Sequence, residues 1–133
     1  MSSPNPPAAG PLPILLVEDE PAVMELMRSA LERSGYSTVP AGSGVEALKL
    51  LAAGEYRGVI TDMKTPGGVS GADVHAWIGA NRRDLVSRVI FVTGDTISED
   101  TVAVLEHTGA PCVEKPFRMQ QLIGVVEKVL GKP

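Results

Sequence analysis

The sequence predicts an α/β protein: a three-layer sandwich in which five helices cover both faces of a doubly wound, parallel, five-stranded sheet. Three observations carry this. Short apolar runs alternate with longer stretches of helical spacing five times along the chain. The runs "ILLV" and "VIFV" are apolar without interruption, as strands must be when helices cover them on both sides. And 133 residues with 44% hydrophobic content suffice to bury one core, but hardly two.

"PILLV" is the first strand. The helix after it begins near Glu20, with Pro21 in its first turn, where a missing N–H costs nothing. Val23, Leu26, Met27, Ala30 and Leu31 mark its buried face, and Gly35 ends it. "YSTVP" is a weaker second strand. Ser43 with Glu46 three positions on predicts a capping box for a helix that Gly54 closes. "RGVIT" is the third strand. The glycine-rich loop "KTPGGVSG" then leads into a helix carrying Val74, Trp77 and Ile78. "RVIFV" is the fourth strand, and a helix from about Ser98 to His107 follows. "PCVE" makes a short fifth strand, and Leu122, Val125, Val126, Val129 and Leu130 form the stripe of a last helix.

Residues 1–12 carry no charge and are rich in proline, so they read as a flexible tail or linker ahead of a folded unit over 13–131. The formal charge of −4 argues against a nucleic-acid surface. A single cysteine, Cys112, excludes an internal disulfide and a cysteine-rich zinc site, in keeping with a reducing cytoplasm. No apolar run is long enough to span a bilayer, so no membrane contact is expected of this segment.

The polar residues that follow the apolar strands carry the chemistry. "ILLV" runs into Glu18 and Asp19, "GVIT" into Asp62, "VIFV" into Thr93 and "CVE" into Lys115. In a parallel sheet these carboxyl ends share one edge, where ligands bind. Three carboxylates in one crevice raise one another's pKa unless a cation sits among them. With only oxygen ligands on offer, a hard ion such as Mg²⁺ is favoured over zinc. A lysine and a hydroxyl nearby suit a phosphoryl group, and a carboxylate can itself become an aspartyl-phosphate. His75 and His107 fall on helices without partnering ligands and read as ordinary surface or half-buried residues; Cys112 reads as a small buried filler, and Trp77 as part of a core or interface stripe.

Taken together, "VEDEP", "TDMKTP", "VTGD" and "EKPF" resemble, in order and in place, the motifs of the response-regulator receiver domain of two-component signalling. The resemblance covers about residues 13–130. It implies a flavodoxin-like sheet of order 2-1-3-4-5, with Asp62 as acceptor of a phosphoryl group from a histidine kinase or histidine phosphotransfer protein. It further implies that Asp19, Asp62 and the backbone carbonyl of Lys64 hold Mg²⁺ directly and Glu18 through water. Thr93 and Lys115 would contact the phosphoryl group, and the Lys115–Pro116 bond would be cis. Receivers catalyse their own phosphorylation and are not turnover enzymes by themselves.

Some positions depart from the family's usual pattern. Cys112 stands where an aromatic residue commonly partners Thr93 in switching. Lys64 and Asp95 hold the positions that tune phosphoryl lifetime, and their opposite charges predict an ion pair across the site mouth. The loop 66–71 is one residue longer than expected. A haloacid-dehalogenase-type phosphatase is disfavoured because Lys64 replaces the second aspartate. The expected setting is cytoplasmic, as a module of a hybrid histidine kinase, with a weak homodimer as an option. A single-domain regulator or a degenerate docking module is the alternative.

Overall fold

The computed structural model describes residues 11–133, so most of the tail expected over 1–12 lies outside the described residues. Strands and helices alternate throughout: β1 (Ile14–Val17), α1 (Pro21–Arg33), β2 (Thr38–Ala41), α2 (Gly44–Ala53), β3 (Gly58–Asp62), α3 (Gly71–Asn81), β4 (Val89–Thr93), α4 (Glu99–Thr108), β5 (Cys112–Glu114) and α5 (Met119–Leu130). A single 3₁₀ turn, Val86–Arg88, leads into β4. All neighbouring strands pair in parallel, in the order β2-β1-β3-β4-β5.

The unbroken apolar run of β1 serves two cores at once, because successive side chains of a strand point to opposite faces. Ile14 and Leu16 join Met27 and Leu31 of α1 and Leu122 and Val126 of α5. Leu15 and Val17 join Ala47 and Leu51 of α2 and Val74 and Ile78 of α3. Each fully buried side chain of this size stabilises the fold by roughly 1.5–3 kcal/mol. Helix α4 takes little part, since Thr101 is its one buried residue.

Several local readings shift. Leu26, placed on the buried face of α1, is exposed, because that helix needs only the narrower stripe of Met27, Ala30 and Leu31 to cover the sheet. The second strand starts two residues later than "YSTVP" indicated. Its Tyr36 N–H instead bonds Leu31 O to close α1, while Gly35 turns the chain at φ +105°. Pro40 is tolerated in β2 because that strand lies at the sheet edge. The capping box of α2 is only half formed. Ser43 Oγ accepts the Glu46 N–H, but the Glu46 carboxylate reaches past Ser43 to the N–H of Gly42. A complete box caps α3 instead, between Ser70 and Asp73. No described helix is long and apolar enough to cross a membrane.

Candidate functional site

The carboxyl ends of β1, β3, β4 and β5 converge on one edge, as parallel pairing requires. Glu18 extends β1 by one bond, its N–H donating to Ala41 O. This fixes its side chain in the interior, 2% exposed, while Asp19 turns outward to solvent. Glu20 follows as the residue before α1, and its N–H donates to Glu18 Oε2 at 3.1 Å. Asp62 closes β3 and is 9% exposed. One carboxylate oxygen from each of Glu18, Asp19 and Asp62 lies within 4.8 Å of the other two.

Lys115 supplies the counter-charge. Its backbone N–H donates to Thr93 O at 2.7 Å, which locks the end of β5 beside that of β4. Its Nζ lies 2.9 Å from Glu18 Oε1, 3.0 Å from Asp62 Oδ2 and 3.5 Å from Glu20 Oε1. Burial works against the ammonium, but the pull of Glu18 and Asp62 outweighs it and holds Lys115 above the ordinary lysine range. Burial pushes the Glu18 carboxyl up. Lys115 and the Glu20 N–H oppose that push only in part, and the Asp62 charge adds to it. The Lys115–Pro116 peptide is cis, as the resemblance implies.

The remaining predicted residues surround this centre. Asp62 Oδ1 accepts the Lys64 N–H at 3.2 Å. Thr93 is buried, yet its hydroxyl is engaged with Asp95, donating to Asp95 O and accepting the Asp95 N–H, both at 3.0 Å. The strand ends thus bring Thr93 to the site without a hydrogen bond to Asp62. The Asp95 carboxylate accepts N–H bonds from Ile97 and Ser98, which hold its pKa low. Its Oδ2 is 3.9 Å from Lys64 Nζ, the outer limit of an ion pair. Cys112 is half-buried rather than buried, because β5 is the other edge strand. It stands opposite Phe91, two residues before Glu114, the strand partner of Thr93. His75 is half-buried and stacks on Phe91, with ring centroids 5.8 Å apart, and Trp77 packs at the margin of the α2–α3 core.

Two further residues belong to the site without a sequence signal for a role in it. Glu20 sits in the acidic run, and only the fold shows that it reaches Lys115. Gly71 carried no site signal. It opens α3 directly against Asp62, and a Cβ there would lie 2.2 Å from the Asp62 carbonyl oxygen.

The donor set suits a hard cation. It is all oxygen, compact and negatively charged, and buried Glu18 Oε1 has no well-angled hydrogen-bond donor, only the Lys115 ion pair. Fold and site together define a doubly wound α/β protein with an acidic, lysine-bridged crevice at its strand ends. Residues 14–127 match the family described as the response regulator receiver domain, and the chain belongs to that family of two-component signalling proteins. Response regulator MprA of Mycobacterium sp. (strain KMS) is 33% identical over 122 residues, 92% of this chain and 52% of that protein. The chain thus spans about half the length of this relative. Among solved structures, response regulator TrrA of Thermotoga maritima, in complex with Mg(2+)-BeF, is 33% identical, with a TM-score of 0.75 over 90% of this chain and 99% of that one. The receiver domain of a signal transduction histidine kinase from Syntrophus aciditrophicus is 28% identical, with a TM-score of 0.79 over 90% of this chain and 89% of that one.

Proposed function

We propose that Asp62 accepts a phosphoryl group from a phosphohistidine of a histidine kinase or phosphotransfer protein, and that the aspartyl-phosphate switches partner binding. The observation that carries this reading is Lys115 Nζ set between Glu18 and Asp62 beside a three-carboxylate cluster. An Asp62 carboxylate oxygen attacks phosphorus, the P–N bond breaks, and its electron pair returns to the imidazole, which takes up a proton. Glu18, Asp19, Asp62 and the Lys64 carbonyl are the groups to hold Mg²⁺, which when bound offsets charge on the transferring group. Lys115 offers a second positive charge to a phosphoryl oxygen. Thr93 joins by exchanging Asp95 O for the phosphoryl group, and this rearrangement passes to α4 through the Asp95 bonds to Ile97 and Ser98. Cys112 stands at the switch position, and Lys64 with Asp95 screens the mouth against water. We place the domain in the cytoplasm as a module of a hybrid histidine kinase, a setting consistent with its likeness to the Syntrophus kinase receiver. Acetyl phosphate with Mg²⁺ should add one phosphoryl mass to the protein and none to Asp62→Asn. Equal labelling of the two would remove Asp62 from the role.

A further inference from the structure

Glu20 is the one carboxylate around Lys115 that the cation cluster leaves out. Lys115 Nζ touches Glu18 and Asp62 closely and Glu20 at 3.5 Å, whereas the oxygens gathered within 4.8 Å belong to Glu18, Asp19 and Asp62. Two of the three partners of the lysine are therefore also the carboxylates a divalent cation takes. Two positive centres on the same oxygens repel each other. Release of Asp62 by Lys115 would relieve that repulsion and free both oxygens of the carboxylate, one for a cation and one for a phosphorus atom. Glu20 is placed to take the lysine. Its side chain is 63% exposed, accepts no capping bond from α1, and forms no other ion pair among the described residues.

We propose that Glu20 is a positioning residue that receives Lys115 as Glu18 and Asp62 turn to the cation. The ammonium then stays at the mouth of the site, poised for a phosphoryl oxygen, without covering the nucleophile. This rests on the reading of Asp62 as a Mg²⁺-assisted acceptor.

The test is calorimetric titration of Mg²⁺ into the parent, Glu20→Gln and Glu20→Asp proteins, each with Lys115 intact and as Lys115→Ala. A pair with one partner open to solvent, as Glu20 is, carries an effect of about two- to fivefold. Glu20→Gln should weaken Mg²⁺ by that factor, and the difference should vanish once Lys115 is gone. Loss of affinity that persists undiminished in the Lys115→Ala background makes Glu20 a distant charge and overturns the proposal, as does no loss at all. Should Lys115→Ala fail to fold, Glu20→Asp decides. It keeps the charge but shortens the reach, so weakening close to that of Glu20→Gln supports the hand-over and parental affinity overturns it. A parent that binds no Mg²⁺ overturns the metal-assisted reading itself, a result distinct from binding that ignores Glu20.

Discussion

Replacing Gly71 by alanine is the sharpest test of how the fold positions Asp62. The added Cβ would lie 2.2 Å from Asp62 O, 3.1 Å from Asp62 C and 3.0 Å from Met63 Cα. All three are backbone atoms, so no side-chain rotation relieves the clash. A normal carbon–oxygen contact is about 3.3 Å, so α3 and the end of β3 must part by roughly 1 Å. Neither side yields freely. The Met63 N–H holds β3 to Val92 O at 2.8 Å, the Gly71 N–H holds α3 to Met63 O at 2.9 Å, and Val74 and Ile78 anchor α3 in the core.

Overpacking of this type costs about 1–3 kcal/mol, and loss of the Gly71 hydrogen bond adds about 1 kcal/mol. Urea denaturation of Gly71→Ala should show that loss as a lower midpoint with an unchanged slope. If the strain is taken up at Asp62 instead, phosphorylation by acetyl phosphate should slow on the order of 10²-fold, the usual effect of a 1 Å misplacement. Gly124→Ala in α5 is the control. A Cβ there meets nothing within 4 Å, so it should raise stability by up to about 1 kcal/mol through helix propensity. A Gly71→Ala protein with both parental stability and parental rate would refute the reasoning.

Mg²⁺ should raise the melting temperature, with about 2.7 kcal/mol of stabilisation at a hundred times its Kd, and Asp19→Asn should blunt the shift; a melt indifferent to Mg²⁺ counts against the cluster as a cation site. Lys115→Met leaves Glu18 buried without its cation and should cost about 3 kcal/mol in Mg²⁺-free denaturation, with Glu18→Gln in the same chain restoring much of it. Burial, with the charge of His107, holds the His75 pKa below its ordinary 6.5, so the unfolded chain binds the proton first. Stability should therefore fall as pH drops through about 6.5 toward the lower folded-state value, and His75→Gln should flatten that slope in denaturation curves between pH 7 and 5. Lys64→Ala should leave the urea midpoint where the parent has it, as an exposed pair at 3.9 Å implies, but shorten the aspartyl-phosphate lifetime; unchanged hydrolysis would remove Lys64 from that role.

Local pattern made the architecture legible. "ILLV" and "VIFV" announced strands covered on both faces, and the polar residue after each apolar run named Glu18, Asp62, Thr93 and Lys115, because parallel strands must deliver their carboxyl ends to one edge. Leu26 departs from the helical pattern because periodicity marks every apolar residue near a helix face, while burial depends on the width of what packs against it. Glu46 departs in a similar way: its spacing from Ser43 fits a capping box, yet its carboxylate takes the Gly42 N–H.

By itself, the sequence determined the order of elements, the residues that meet at the strand ends and the sign of their charges, all of which follow from short-range periodicity and one topological rule. Tertiary structure alone decided that Lys115 lies between Glu18, Asp62 and Glu20, that the Thr93 hydroxyl is held by Asp95, and that Gly71 seats α3 on the Asp62 carbonyl. These are distances between segments far apart in the chain. They are set by how helices and strands pack, and no local pattern of residue types encodes them.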